Sequence, residues 1–300
     1  MGEGCKAKGE WRRANRLSSF TLHFSSFIIL TGMTCAAFVQ KSPIKAPPVV
    51  TCEASCAGDH LQGMATDGKS LYWGFGTEII KTDLNGRKIG TTGRVKYHHG
   101  GPCVVDGVVY AAANHGKFNT ETEADSWVYS YKADDLKFVR RWKVPELRHG
   151  AGGMTFHDGR FYVVGGLPEG YGVNFVYEYD KGFTFIARHV LETGYTYLGI
   201  QAATFHNGLF YFGCYGRKSA DDPEGLDSTI TATPDFKTLK RWFPGSPEGI
   251  VPVGGRLAFA ITPRLPDRSF GAILYPFDTE ERREIAWPAK RATDRGGRLK

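Results

Sequence analysis

One pattern of apolar and polar positions recurs five times along this 300-residue chain. Each copy has small residues, a short apolar run, a two-residue turn and a second run rich in aromatic and β-branched residues. The clearest copy is RHGAGGMTFHDGRFYVVGG at residues 148–166. The other copies begin at His60, His98, Leu198 and Ser246, about 40 to 50 residues apart. Short runs of this kind predict β-strands, and their regular return predicts a repeat architecture.

The turn between the two runs has the same chemistry in every copy. Asp, Asn and Gly tolerate the positive φ that a tight hairpin turn requires. The turn pairs are Asp67-Gly68, Asp106-Gly107, Asp158-Gly159, Asn207-Gly208 and Gly254-Gly255. Two further strand-like runs follow each pair, and no stretch has a helical period over several turns. The sequence therefore predicts an all-β fold, a five-bladed β-propeller of four-stranded antiparallel blades over residues 60–288.

The last blade and the closure of the ring carry separate predictions. The fifth repeat predicts four strands, the outermost at residues 282–287. A Pro-rich lead-in covers residues 38–59 and contains one short strand candidate at residues 48–51. An open ring would leave long unpaired strand edges, so this strand can pair with the last blade and close the ring.

The basic residues are concentrated at the two ends of the chain. The net charge is +7, and residues 1–37 and 289–300 account for it, which leaves the body near neutral. Nucleic-acid binding is therefore not expected. Five Lys and Arg residues precede the apolar stretch 17–38, and Cys35-Ala36-Ala37 offers small residues for cleavage. This layout predicts a signal peptide at 1–37, or a membrane anchor if it stays uncleaved. We expect a secreted or periplasmic monomer with a basic disordered tail at 289–300.

Export changes what the cysteines predict. Cys52 and Cys56 lie close together in the lead-in and can close a small disulfide in an oxidising compartment, with zinc as the alternative. Cys103 and Cys214 fall inside repeat strands, which favours buried free thiols.

One face of the propeller is predicted to carry the function. The segments leading into each first strand and the longer loops after each second strand lie on that face. These loops are His115–Ser126, Leu167–Asn174, Gly216–Asp227 and Thr262–Phe270. Binding residues concentrate on extended loops held by a rigid scaffold, so we expect a ligand-binding funnel there.

Aligned positions at the start of the first strands indicate which side chains meet in the funnel. One column contains only small residues, which the crowded centre of a propeller requires. Its members are Gly63, Gly101, Gly153, Ala202 and Gly249. The preceding column is Gln62, Gly100, Gly152, Gln201 and Glu248. His60, His98, His99 and His149 lie just before them and can converge at the channel mouth. The alternative is that these His residues only satisfy loop backbone groups.

The residue types suggest more than one chemistry. Polysaccharide lyase chemistry needs a base and a cation for a uronate carboxylate; His99, His149 and Tyr197 are the candidate catalytic residues. Metal-assisted hydrolysis could use His, Gln and Glu ligands from separate blades, with the metal unspecified. Glycosidase chemistry needs two carboxylates across the channel, and only Glu248 and Asp59 precede first strands, so the sequence does not favour it. The candidate ligand-binding residues are His60, Gln62, His98, Gln201, Glu248, Trp127, Tyr215 and Arg217.

The phrases HDGRFYVVGG, DGVVYAAA and VYEYD resemble secreted bacterial β-propellers of the broad NHL, kelch and glycosidase-like kind. The resemblance covers about residues 60–288 and implies a blade rather than an activity, so no catalytic residue follows from it. We expect an exported propeller that binds a small polar ligand, carbohydrate in class, in the funnel. It acts as a polysaccharide lyase or metal-assisted hydrolase, or it is a non-catalytic binding or scaffold protein.

Overall fold

The computed structural model describes residues 48–218 and 225–288. These residues belong to one compact unit, Phe38–Lys300. The predicted signal peptide, residues 38–47 of the lead-in and the predicted basic tail lie outside the described residues. Within the described part of the chain, no helix is long and apolar enough to cross a membrane.

Five antiparallel sheets form the blades of a β-propeller, which confirms the predicted fold class. Blade 1 contains β2 (Leu61–Thr66), β3 (Ser70–Phe75), β4 (Glu78–Asp83) and β5 (Lys88–Thr91). Blade 2 contains β6 (His98–Val105), β7 (Val108–Asn114), β8 (Ser126–Lys132) and β9 (Phe138–Lys143). Blade 3 contains β10 (Ala151–His157), β11 (Arg160–Gly165), β12 (Asn174–Tyr179) and β13 (Phe185–Leu191). Blade 4 contains β14 (Ile200–His206), β15 (Leu209–Cys214), β16 (Ser228–Ala232), β17 (Leu239–Phe243) and β21 (Arg283–Glu284). Blade 5 contains β18 (Ile250–Val253), β19 (Arg256–Ile261), β20 (Ile273–Pro276) and β1 (Val50–Thr51).

The hairpin turns explain why the repeat reads so clearly in the sequence. At Asp158-Gly159 both residues have positive φ, 46° and 75°, and Arg160 pairs directly with His157. The turns of blades 2, 4 and 5 have the same two-residue form. Blade 1 differs, because Thr66 pairs with Leu71 and leaves a four-residue turn. There the Asp67 carboxylate accepts the backbone N–H of Ser70 (2.6 Å), which stabilises the longer turn.

The strand β1 closes the ring, and the prediction that residues 282–287 form the outer strand of blade 5 is wrong. β1 pairs with β20 through Val50 and Leu274, so the strand predicted at residues 48–51 is confirmed. Residues 282–287 do not form the outer strand of blade 5, because β1 occupies that edge. Instead Arg283–Glu284 pairs with β17 and extends blade 4.

Each interface between blades contains its own hydrophobic cluster, so the core is distributed around the ring. The interface between blades 5 and 1 shows how the ring is held closed: Trp73 of β3 is fully buried and packs in one cluster with Val251 and Leu274 of blade 5. The Trp73 indole donates to the Thr82 hydroxyl (2.9 Å), which satisfies its only polar atom. Stacked blades thus bury the sheet faces that a single blade would expose.

The innermost strands approach so closely that side chains do not fit between them. A Cβ on Gly63 would lie 2.3 Å from the Cα of Gly101, and a Cβ on Gly100 would lie 2.1 Å from the Gly152 carbonyl oxygen. The small-residue column therefore lies at the axis, as predicted.

The cysteines differ from the prediction in one respect. Cys52, Cys56, Cys103 and Cys214 are all buried free thiols, so the suggested bridge between Cys52 and Cys56 is not formed. Both residues lie along the outer edge of blade 5. The Cys52 amide donates to Ala272 O (2.9 Å) and the Cys56 amide to Phe270 O (2.9 Å). Backbone pairing of this segment, rather than a disulfide, holds it in place.

We expect Cys52 and Cys56 to be free in protein purified without reductant. Burial raises the pKa of the Cys52 thiol to about 11, so alkylation of the folded protein at pH 8 should be slow. In guanidinium both residues should take up label at the rate of Cys214, as measured by peptide mass spectrometry. A peptide in which the two residues are joined and unlabelled would contradict the structure.

Candidate functional site

Polar side chains from blades 1, 2, 4 and 5 gather where the innermost strands begin. Asp59 and His60 precede β2, and Glu248 precedes β18. We call this group the mouth cluster; its members are Asp59, His60, Gln62, His98, Tyr215 and Glu248.

The Asp59 carboxylate joins the histidines of two blades. His60 Nδ1 donates to Asp59 Oδ1 (2.8 Å), and His98 Nε2 lies 3.5 Å from Asp59 Oδ2. The side chains of Asp59 and His60 are 32% and 33% exposed, so a ligand can reach them from solvent. Blades 1 and 2 therefore share one charged centre at the mouth.

The other ring nitrogen of His60 is also held. Gln62 Nε2 lies 3.0 Å and the Tyr215 hydroxyl 3.3 Å from His60 Nε2. Because an amide nitrogen only donates, His60 Nε2 accepts here and the ring proton lies on Nδ1, toward Asp59. Gln62 reaches this position from a bulge in β2, between Leu61 and Gly63. The imidazole is thus oriented from both sides.

Glu248 enters the cluster from blade 5 through a tightly built turn. The Ser246 hydroxyl accepts the Glu248 amide (3.1 Å), and Glu248 Oε2 accepts the Thr262 amide (2.7 Å). Gly249 follows with φ of 147°, and a Cβ there would lie 2.7 Å from the Met64 side chain. The absence of that Cβ lets blade 5 approach β2 and places Glu248 near His60.

The carboxyl groups of the mouth cluster have pKa values that diverge. Burial raises the pKa of Glu248 to about 7, an effect partly opposed by the positive charge that His60 can carry. Burial also acts on Asp59, but hydrogen bonds from His60 prevail and lower its pKa. The hydrogen bond with Asp59 in turn raises the pKa of His60. Near neutral pH, Glu248 can carry a proton while Asp59 stays ionised.

The structure corrects the predicted position of His99. Successive side chains of a strand point to opposite faces, and only His98 turns toward the mouth. His99 is fully buried between blades 1 and 2, with Nε2 2.6 Å from the Tyr131 hydroxyl. Burial lowers its pKa to about 3. His99 is therefore a neutral core residue rather than part of the funnel.

His149 does not join the mouth cluster either. Its side chain is buried, and its ring meets the edge of Tyr171 at 6.1 Å, within blade 3 and its loop. Among the described residues, no hydrogen bond or ring contact connects His149 to Asp59, His60 or His98. The predicted convergence of histidines from blades 1, 2 and 3 thus holds only for blades 1 and 2.

Arg217 and Tyr197 form a separate pair on the loops. Arg217 donates to Glu169 Oε2 (2.8 Å), and its guanidinium lies 5.4 Å from the centre of the Tyr197 ring. The charge of Arg217 is therefore compensated within these loops.

Gln201 and Trp127 make their contacts outside the mouth cluster. Gln201 is buried and its amide donates to Leu198 O (2.8 Å), which pins its own loop. Trp127 stacks on His115 at 5.5 Å and lies beneath the Arg141 guanidinium at 4.7 Å. Neither side chain contacts a member of the mouth cluster in the described part of the chain.

Asp59 is the residue that the predicted site omitted. Its position directly before His60 was the available signal, but its link to His98 depends on the packing of two blades.

Within residues 48–218 and 225–288, no group of three or more His, Cys, Asp and Glu side chains is arranged to hold a metal ion.

Comparisons with known proteins support the fold. No protein-family model matches this sequence, and no curated protein matches it. The glutaminyl cyclase of Myxococcus xanthus is similar in structure, with a TM-score of 0.51, 12% identity, and coverage of 78% of this chain and 97% of that one. The xylan β-1,4-xylosidase of Bacillus halodurans C-125 has a TM-score of 0.55 and 12% identity, covering 78% of this chain and 56% of that one. The exo-β-1,3-galactanase of Phanerochaete chrysosporium has a TM-score of 0.51 and 13% identity, covering 77% of this chain and 64% of that one.

At such identities the likeness concerns the fold alone. The chain is a five-bladed β-propeller protein with a carboxylate-containing polar cluster at the mouth of its central channel.

Proposed function

We propose that the mouth cluster binds a neutral carbohydrate and hydrolyses a glycosidic bond. The observation that carries the proposal is the pair of carboxyl groups near His60, whose pKa values shift in opposite directions. The pKa of Glu248 is raised to about 7, and the pKa of Asp59 is lowered. Glycoside hydrolysis by two carboxyl groups requires such a difference, because one must donate a proton while the other is ionised.

The roles follow from the protonation states. Glu248 donates its proton to the glycosidic oxygen as the bond to the leaving sugar breaks. Asp59, oriented by His60, stabilises the positive charge that develops on the sugar ring. Water then completes the hydrolysis, and its proton restores the acid. Tyr215 supplies a hydroxyl beside the reacting sugar.

The charges of the cluster favour hydrolysis over the lyase alternative. A lyase must neutralise a uronate carboxylate, but Arg217, the cation among the predicted ligand-binding residues, is paired with Glu169. The ionised carboxylate of Asp59 would repel a uronate. Neutral sugars avoid that repulsion, and two of the structural neighbours are named as a xylosidase and a galactanase. Metal-assisted hydrolysis is not proposed, because no group of three or more His, Cys, Asp and Glu side chains among the described residues is arranged to hold a metal ion.

A second candidate is cyclisation of an N-terminal glutamine. In that reaction the α-amine attacks the side-chain amide carbon and ammonia leaves, so one group can accept and then return a proton. A carboxyl with a pKa of about 7 suits both steps. The structural neighbour named as a glutaminyl cyclase matches over 97% of its own length.

The deciding experiment offers the purified protein a panel of 4-nitrophenyl glycosides of neutral sugars and, separately, a glutamine aryl amide. We expect release of nitrophenol from a neutral glycoside. Ammonia release from the glutamine substrate would replace glycoside hydrolysis by cyclisation. Binding of neutral oligosaccharides without turnover would assign the protein to the non-catalytic class.

We also propose that the protein is exported. The support is the basic and then apolar composition of residues 1–37. N-terminal sequencing of the protein secreted by an expressing cell tests this, since a cleaved chain should begin near residue 38.

A further inference from the structure

A cavity separate from the mouth cluster lies between blades 1 and 2, on the side of the propeller. It has a volume of about 640 Å³ and is bordered by the end of β5, the segment after it, and strands β8 and β9. We call it the lateral cavity; the residues that matter here are Thr92, Tyr97, Tyr129, Tyr131, Phe138 and Arg141. None of them belongs to the mouth cluster.

The walls of the lateral cavity are aromatic. Tyr97 and Tyr129 stack at 4.4 Å, and Phe138 lies 5.8 Å from Tyr129. Phe138 is 56% exposed, which is a large apolar area for a surface side chain. Exposed rings beside a cavity offer flat apolar surfaces on which a sugar ring can lie.

Fixed polar groups stand between these rings. The hydroxyls of Tyr97 and Tyr131 lie 3.0 Å apart, and the Tyr131 hydroxyl is hydrogen-bonded to Nε2 of the buried His99. Arg141 donates to the Tyr129 hydroxyl (2.9 Å). The ring positions are therefore set before any ligand arrives, which lowers the entropic cost of binding.

The charge around the lateral cavity is positive. Lys137 is paired with Asp135 at 2.7 Å, so it contributes little. In the part of the chain that the structure describes, Arg141, the other cation of the lining, has no carboxylate within ion-pair distance. An anionic group that reaches Arg141 would gain a charge-assisted hydrogen bond.

Blade 3 has the same residue types at positions that do not line the lateral cavity. Phe185 begins its outer strand and is 39% exposed, like Phe138 in blade 2. Arg188 lies 4.6 Å above the Phe175 ring, as Arg141 lies above Trp127. Between blades 2 and 3, however, Val144 and Leu147 are buried in the hydrophobic cluster. Phe185 and Arg188 do not line the lateral cavity, so they provide matched control positions.

We propose that the lateral cavity binds an acidic sugar, a uronic acid unit of an oligosaccharide. The sugar ring lies against Phe138 and Tyr97, and its carboxylate pairs with Arg141. Sugar stacking uses the aromatic rings, and the sugar carboxylate pairs with Arg141, which has no carboxylate partner among the described residues. The site differs in charge from the mouth cluster, which favours neutral sugars, so the two sites take different units.

Calorimetric titration with trigalacturonate at low salt tests the proposal. We expect binding to the wild type, and at least about a tenfold loss of affinity in Phe138→Ala and in Arg141→Gln. The blade 3 variants Phe185→Ala and Arg188→Gln should keep the wild-type affinity. Glu248→Gln should also keep it, which separates this site from the mouth cluster.

Several results would overturn the proposal. These are absence of binding to the wild type, unchanged affinity in Phe138→Ala, an equal loss in the blade 3 variants, or equal affinity for neutral galactotriose. Phe138 is exposed, so its replacement should leave folding intact, as a thermal melt can verify. If Arg141→Gln does not fold, Phe138→Ala decides the outcome alone. Failure of glycoside hydrolysis would leave this test unaffected.

Discussion

Glu248→Gln is expected to lower kcat/KM for the glycoside found in the substrate panel by about 10²- to 10⁴-fold. Gln can still accept the Thr262 amide, now 2.7 Å from the carboxylate, so the local turn should persist. It cannot supply the proton. Steady-state kinetics measure the loss. Glu146→Gln is the control, because the Glu146 carboxylate accepts the Tyr179 hydroxyl (2.9 Å) outside the mouth cluster.

The proposed roles of Glu248 and Asp59 also predict how wild-type activity depends on pH. Glu248 must be protonated, so wild-type activity should fall as pH rises through about 7. Asp59 must be ionised, and its lowered pKa places the acidic limb below the usual range for Asp. A fall in activity only below pH 5, with none near pH 7, would contradict the role of Glu248.

Stability provides a readout independent of substrate. The folded-state pKa of Glu248 exceeds its unfolded value, so the folded state binds more protons between the two and loses stability as pH rises through that range. Glu248→Gln removes this effect. We therefore expect the variant to be more stable than the wild type at pH 8 but not at pH 4, as measured by guanidinium unfolding at both values. Equal stability differences at the two pH values would mean that the Glu248 pKa is not raised.

Gly63→Ala is expected to destabilise the propeller by about 3 kcal/mol or more. Its Cβ would lie 2.3 Å from the Cα of Gly101, and a backbone atom cannot move aside as a side chain can. Relief requires the innermost strands of blades 1 and 2 to separate. Guanidinium unfolding gives the free-energy difference directly.

Gly90→Ala in the outer strand of the same blade is the matched control. A Cβ there meets nothing within 4 Å, so the change should be neutral or slightly stabilising. If the two variants unfold at the same denaturant concentration, the close approach at the axis is not real.

Local sequence patterns determined most of the architecture. Turn pairs such as Asp106-Gly107 define hairpins because their φ values of 50° and 76° depend on the turn residues themselves. The column of small residues likewise predicted the crowded axis, because larger side chains would not fit between the innermost strands. Repetition of these local features was enough to predict blades, their number and the closing strand.

Pairing at the outer edges depended on competition between distant segments. Residues 282–287 and the strand at Val50–Thr51 were both predicted to extend blade 5. β20 accepts only one of them, and β1 takes that edge. Backbone pairing along the same edge also holds Cys52 and Cys56, so no disulfide is needed there. Strand propensity alone does not decide between two segments that both fit one edge.

The candidate site shows the same division. His60, Gln62, His98, Tyr215 and Glu248 were predicted from their positions before or after inner strands, and the structure brings them together with Asp59. His99 and His149 occupy similar positions in the sequence, but His99 points into the core between blades 1 and 2 and His149 contacts Tyr171 within blade 3. The bulge that follows His99 in β6 and the packing of neighbouring blades decide where each ring points. The pKa of Glu248 likewise depends on burial, which arises only when blade 5 closes against blade 1.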